Sequence, residues 1–276
     1  MATQQSWYSL FVPLDDQKRI ADALGQALEA QGFTRYDPFP GGTGLSFGWK
    51  QRVRLFVAPP EGGWTRVVGH PPEAILPALA AALETNVLLV WLDETGGGVC
   101  AWTPEGCDND ADTLADWLAA DASIKDLQLA MRGDVVAPLL AEDGPQALAV
   151  PLPPEVAALA DRVDEQEAEQ LMQRITRSVM GRLGRDAAQA RHEARGLLSG
   201  GVPWNSEAGR RIRAVMGCLS VPGNWLAPEL ETLVGAYQVA RARQHRPEGG
   251  RLPGDDVALA AVPDALAFTP VYAGLR

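Results

Sequence analysis

The chain has 276 residues, of which 46% are hydrophobic, so it can bury a full core, and a small disulfide-stabilised scaffold is excluded. Since domains typically hold about 100–200 residues, this length predicts two domains. Residues 1–150 hold 20 acidic and 9 basic side chains and carry the whole net charge of −11, so direct nucleic-acid binding by this half is disfavoured.

Cysteine usage and the length of the apolar runs indicate the cellular compartment of the protein. The three cysteines, Cys100, Cys107 and Cys218, are an odd number without zinc-site spacing, which predicts free buried thiols, no metal site and a cytoplasmic location. Cys100 and Cys107 would pair only if the turn between them folds back. The start of the chain lacks a signal-peptide pattern, and the longest apolar runs are far shorter than the roughly 20 residues that span a bilayer. We therefore expect a cytoplasmic protein without a membrane partner. Its Ala-, Gly-, Pro- and Arg-rich composition is typical of a GC-rich bacterial genome.

Apolar periodicity and turn-forming residues predict a succession of elements in the first half of the chain. Ile20, Leu24 and Leu28 are spaced as on one face of a helix, whereas Val87 to Leu92 is a continuous apolar run typical of a central strand. The predicted elements are a strand or extended segment at 7–12, helix 15–32, strands near 45–49, 53–58 and 64–69, helix 72–85, strands 87–92 and 99–103, and helix 113–121.

From helix 15–32 onward, this order resembles YbjN-like proteins, which share the type III secretion chaperone-like fold. The resemblance covers somewhat under half of the chain and includes no invariant motif. It implies an α+β fold with an antiparallel sheet and helices in the order α-β-β-β-α-β-β-α. It also implies a non-catalytic homodimer that holds a segment of a partner protein along the sheet or a flanking groove.

The second half is predicted to be mainly helical. The stretch 126–150 is ambiguous, although its part from 135 to 150 is interpreted as a hairpin that extends the sheet, and the proline-rich run at 151–154 marks a boundary. The predicted domains are an α+β domain at 1–150, an α-helical domain at 151–247 and an extended tail at 248–276. Helices are expected near 171–183, 185–198, 206–219 and 228–243. Since the tail has a linker-like composition, its removal is expected to leave a folded core.

Three motifs invite functional hypotheses, and each has a simpler structural explanation. Ser46 lies in a G-x-S-x-G match but lacks the strand before it and the helix after it that a nucleophile elbow requires. The alternating Asp108, Asp110 and Asp112 lack the glycine and glutamate of a calcium loop, which leaves helix capping or a weak divalent site within 105–121. The basic group Arg210, Arg211 and Arg213 is explained by an exposed helix face or by phosphate binding.

The favoured function is a non-enzymatic, chaperone-like or adaptor module that holds a flexible segment of a partner protein. No cofactor or metal is expected. The candidate partner-binding residues are aromatic positions of the predicted strands, namely Trp49, Phe56, Trp64, Trp91 and Trp102. Two alternatives stay open: a serine hydrolase using Ser46, and a nucleic-acid-associated protein acting through its Arg-rich second half.

Overall fold

The structure is a computed structural model that describes residues 6–44, 48–132, 202, 204, 206–222, 224–247 and 254–276. These residues belong to one compact unit, to which the chain before residue 143 and the segment Val202–Arg276 both contribute. Within the described ranges, no helix has the length and apolar character needed to cross a bilayer.

The centre of the unit is one antiparallel sheet of eight strands. The strands are β1 (Trp7–Val12), β2 (Thr34–Arg35), β3 (Gln51–Val57), β4 (Thr65–Val68), β5 (Val87–Asp93), β6 (Gly96–Thr103), β7 (Gly106–Asp108) and β8 (Thr269–Leu275). Their order across the sheet is β2-β8-β3-β4-β1-β5-β6-β7. The sheet therefore ends in two very short edge strands, β2 and β7.

Helices cover both faces of this sheet. They are α1 (Gln17–Ala30), α2 (Leu76–Leu83), α3 (Ala111–Leu114), α4 (Ile124–Arg132), α5 (Glu207–Cys218), α6 (Leu230–His245) and α7 (Asp255–Ala261), with short 3-10 turns at Glu73–Ile75, Ala115–Trp117 and Ala265–Ala267. Helices α1 and α2 share a core with one set of strand residues, and α3 to α6 share two cores with the alternate set. Because strand side chains alternate between faces, these cores lie on opposite sides of the sheet. The mixed composition agrees with the predicted α+β class.

Several local predictions are confirmed. Helix α1 begins after Asp16, whose carboxylate accepts the N–H of Arg19 at 2.9 Å, and its predicted apolar stripe is fully buried. Helix α5 likewise begins after Ser206, whose hydroxyl accepts the N–H of Gly209 at 3.1 Å. The apolar run of β5 is buried on both faces, as its lack of alternation indicates.

The C-terminal segment differs from the prediction. Thr269–Leu275 is a strand inside the sheet, paired with β3 along its full length and with β2 at two positions. Helices α5 and α6 pack on the same sheet, so they do not form a separate helical domain as predicted. The expected hairpin at 135–150, the boundary at 151–154 and the helices near 171–183 and 185–198 lie outside the described residues.

A buried cation ties the loop before α6 to the sheet. Arg66 in β4 donates to Ser9 Oγ at 2.9 Å, to the carbonyl oxygen of Ala227 and to that of Pro228 at 3.1 Å. Its guanidinium carbon lies 5.3 Å from the ring centre of Trp7. Burial lowers the pKa of Arg66 to about 9, although the carboxylate of Glu229 opposes this shift. Arg66 therefore stays charged at neutral pH and is balanced mainly by neutral acceptors.

We predict that removing Thr269–Arg276 abolishes cooperative unfolding, because it strips the hydrogen-bonding partner from β3 and opens two cores. A substitution pair tests the same point in the intact chain. Val271→Asp places a charge at a position that is 1% exposed, and Val257→Asp places the same charge on α7 at a position that is 74% exposed. Thermal unfolding should be lost or strongly lowered only for Val271→Asp; a truncated chain that melts like the full one would contradict the prediction.

We also predict that Arg66→Ala lowers the free energy of unfolding by about 2 kcal/mol, because hydrogen bonds to a charged group are lost and a buried stem is removed. Arg54→Ala is the matched control on the same face of the sheet. Its side chain pairs with Glu231 at 2.7 Å in an exposed position, so the cost should be about 1 kcal/mol or less. Urea unfolding measures both free energies of unfolding. Equal decreases for Arg66→Ala and Arg54→Ala would contradict the anchoring role of Arg66.

Candidate functional site

The outer edge of β6 is only partly paired. Strand β5 pairs with Gly96 to Trp102, whereas β7 pairs only with Ala101 to Thr103. Because hydrogen bonding alternates along an antiparallel strand, Gly97 and Val99 direct their N–H and C=O groups to the same side as Ala101. Arg211 of α5 confirms this direction, since its Nη2 donates a hydrogen bond to the carbonyl oxygen of Gly97 at 2.8 Å. Among the described residues, no strand continues beside Gly97 and Val99.

After β7 the chain turns away from this edge and enters α3, and the aspartates of this turn stabilise it. Asp108 accepts the N–H of Asp110 at 2.9 Å and the hydroxyl of Thr113 at 2.7 Å, and Asp110 caps α3 through the N–H of Asp112 at 3.3 Å. The predicted helix 113–121 therefore begins earlier, at Ala111, and ends as a 3-10 turn. The capping explanation of these aspartates is confirmed, and no described group of three His, Cys, Asp or Glu side chains is arranged to hold a metal ion.

A cleft of about 280 Å³ lies beside the unpaired stretch of β6. Most of its lining is apolar, with one guanidinium and one carboxamide. The lining includes Gly97 and Val99 of β6, Asn109, Leu114 of α3, Met131 of α4, and Arg211, Ile212 and Val215 of α5.

Glycine at position 97 allows α5 to lie close to β6. A Cβ atom there would lie 2.7 Å from Leu92 Cδ1 and 2.9 Å from Ile212 Cδ1, both closer than real contacts allow. The sequence pattern predicts a turn over 93–98 before the strand at 99–103, but the structure places Gly96 to Gly98 in β6. The sequence signal for this site is a run of glycines within a strand, which marks a close approach of a neighbouring element, here the side chain of Ile212 in α5.

Among the described residues, Arg211 is the one charged side chain that lines the cleft. The segment from Glu105 to Asp126, which contributes Asn109 and Leu114 to the lining, holds seven acidic residues and one basic residue, Lys125. The hydrogen bond from the Thr113 hydroxyl, together with the one from the Asp110 N–H, lowers the pKa of Asp108. Its carboxylate is therefore ionised at neutral pH.

Cys100 and Cys107 form a disulfide, so the prediction that both are free thiols is wrong. The hairpin between β6 and β7 folds the chain back and brings these residues together, whereas Cys218 is free and buried. The disulfide links β7 covalently to β6 at Cys100, next to Val99. The cytoplasmic location loses the support that it drew from free thiols.

The five aromatic residues proposed from the sequence do not gather in one site. Phe56 is fully buried among other aromatic rings, and Trp64 is buried and donates its Nε1–H to Ser220 Oγ at 3.3 Å. Trp91 and Trp102 are half-buried against the core under α1 and α2, and Trp91 also lines the cleft. Trp49 stacks near Tyr36, at 6.0 Å between ring centres.

The other motifs are placed as follows. Ser46 lies outside the described residues, so the hydrolase hypothesis gains no geometry. Arg211 and Arg213 donate to the carbonyl oxygens of Gly97 and Trp204, at 2.8 and 3.2 Å, so both guanidinium groups take part in packing α5. The structural explanation therefore accounts for two of the three arginines of this group.

No protein-family model, curated protein or solved structure matches this chain. The resemblance to YbjN-like proteins, the homodimer and the cytoplasmic location therefore stay predictions. The edge of β6 and its cleft are interpreted from their own geometry.

We predict that Cys107→Ser loosens β7, because the disulfide closes a short loop and contributes about 2 kcal/mol by constraining the unfolded chain. Amide hydrogen exchange in β7 should accelerate, and a dithiol reductant should produce the same effect in the wild type and none in the variant. Maleimide labelling of the denatured chain provides the control: one cysteine should react before reduction and three after it. Three reactive cysteines before reduction would contradict the disulfide.

Proposed function

We propose that this protein is a non-enzymatic module that binds a flexible segment of a partner protein by strand addition at β6. The observation that carries the proposal is the stretch of β6 beside which no strand lies in the described part of the chain. There Gly97 and Val99 direct backbone donors and acceptors towards an adjoining cleft. An extended chain that lies there continues the line of β7 and pairs with these groups.

The chemistry of the site suits peptide recognition. Its lining consists of backbone groups, apolar side chains, the carboxamide of Asn109 and the guanidinium of Arg211. The guanidinium already occupies the carbonyl oxygen of Gly97, so a bound strand replaces one hydrogen bond at that atom and adds new ones at the others. An edge protected by one charged side chain is also less exposed to unspecific pairing.

Backbone pairing alone gives little affinity. Each new hydrogen bond contributes about 1 kcal/mol net, and ordering each residue of a flexible segment costs about 1–2 kcal/mol. The two terms nearly cancel for a few residues. A partner segment is therefore held only if its side chains also bury apolar surface in the cleft, and this requirement makes the site selective.

The proposal predicts that Val99→Pro abolishes peptide binding, because proline removes the outward N–H that a bound strand needs. The substitution leaves the pairing with β5 intact, since that N–H points to the free edge. Val99→Thr is the control, because it keeps the N–H and the branched shape. A displayed library of random heptapeptides would be selected on the full-length protein, and the selected peptides measured as synthetic fluorescent probes.

Affinity should fall at least about tenfold for Val99→Pro and stay within about twofold for Val99→Thr, with thermal unfolding of both variants recorded to verify folding. Selected peptides that bind the folded proline variant as tightly as the wild type would refute strand addition at β6.

A further inference from the structure

We infer that the Cys100–Cys107 disulfide controls how much of the β6 edge a partner segment reaches, and that its reduction by a dithiol opens the edge for tighter binding. With the disulfide formed, β7 covers three residues of β6, so a bound segment pairs only with Gly97 and Val99. This inference rests on the proposed function, because it specifies how the same site is regulated.

Strand β7 depends on the disulfide because its other contacts hold it only weakly. It pairs with β6 at three positions, and the hydroxyl of Thr103 donates to the carbonyl oxygen of Gly106 at 3.2 Å. None of its residues belongs to the hydrophobic cores that the described residues form. For so few residues, the hydrogen bonds gained and the conformational entropy lost nearly cancel. The cross-link to β6 adds the constraint that keeps the strand paired.

The cleft stays in place when β7 is released. Helix α3 is held by Ala111 and Leu114, which are buried in the core that it shares with α5, and Met131 of α4 packs against the same core. Release of β7 therefore uncovers the whole stretch of seven residues from Gly97 to Thr103, instead of the first three alone. Because alternate residues direct their backbone groups outwards, four residues rather than two then pair with a bound segment.

The uncovered stretch also offers an apolar contact. Trp102 is half-buried and faces Cys107 across the paired strands. Residues that face each other across paired strands place their side chains on the same face of the sheet. A bound segment that takes the place of β7 therefore has a residue opposite Trp102, and a large apolar side chain there buries more of the indole than a cysteine does.

A reductant reaches the disulfide from the side of Cys107, which is exposed, whereas Cys100 is buried. A thiolate of the dithiol attacks the sulfur of Cys107, the S–S bond breaks, and Cys100 leaves as a thiolate that takes up a proton. The second thiolate of the reductant attacks its own sulfur in the mixed disulfide and releases Cys107, which is protonated in turn. Two electrons thus pass to the protein, and the reductant leaves as a cyclic disulfide.

The test uses the full-length protein and cysteine-free heptapeptides, whose length equals that of the uncovered stretch. The peptides are selected from a displayed library on the protein reduced with dithiothreitol and are measured as synthetic fluorescent probes. Reduction of the wild type should strengthen their binding at least about tenfold, because the cross-link no longer opposes the displacement of β7. Maleimide labelling of the denatured chain verifies the redox state of each sample.

Two cysteine variants assign the effect to this disulfide. Cys107→Ser cannot form the bond, so it should bind like the reduced wild type and change less than about twofold when dithiothreitol is added. Cys218→Ala removes the free cysteine and keeps the bond, so it should respond to the reductant like the wild type. Thermal unfolding of both variants verifies that they fold.

Amide hydrogen exchange shows which part of the edge the peptide covers. In the reduced protein, a bound peptide should slow exchange at the N–H groups of Val99, Ala101 and Thr103. In the oxidised protein it should slow exchange at Val99 alone, since β7 already pairs with Ala101 and Thr103.

The outcomes separate this inference from the proposed function. Peptides that lose binding with Val99→Pro but bind oxidised and reduced protein equally, or bind the reduced form more weakly, would overturn the inference and leave strand addition standing. A response of Cys107→Ser to dithiothreitol as large as that of the wild type would also overturn it, as would protection of Val99 alone in the reduced complex. Selected peptides that are insensitive to Val99→Pro would overturn the proposed function itself.

Discussion

The pairing of β8 with β3 joins the C-terminal segment to the first half of the chain, and two of the three cores depend on this ladder. Strand β3 has β4 on one side and β8 on the other, so without β8 its whole outer edge is unpaired. Val271 and Ala273 complete the core under α1 and α2, and Tyr272 completes the one under α6. Because β8 contributes side chains to one core on each face of the sheet, both of these cores are complete only when the C-terminal strand is in place.

The candidate site is positioned by a different core, the one between α5 and the strands β1, β5 and β6. Once the chain returns to the sheet, α5 packs across β6 through Ile212, and Trp7, Trp204 and Trp225 meet edge to face with ring centres 5.2 to 5.6 Å apart. The guanidinium of Arg66 holds the loop between α5 and α6 through the carbonyl oxygen of Pro228. The lining of the cleft thus combines α5, from the second half of the sequence, with residues of β5, β6, α3 and α4 from the first half.

The edge of β6 combines features that proteins usually avoid together. It is rich in glycine, three residues of β7 are its only partners within the described ranges, and it has an apolar cleft beside it. Two devices restrain it: the disulfide anchors β7, and Arg211 occupies one carbonyl oxygen. The proposed reversible binding of an extended chain agrees with an edge that is restrained in this way and has no further strand beside it among the described residues.

The sequence by itself determined the elements whose signals are local. Helix α1 and strand β5 follow from apolar spacing, and the starts of α1 and α5 follow from capping residues, because these depend on neighbours within one or two turns. Only the tertiary structure decided that Thr269–Leu275 is a sheet strand, that Cys100 bonds Cys107, and that the glycines after Asp93 form an edge with α5 beside it. Each of these depends on which distant segments meet, and periodicity within a segment carries no information about its partners.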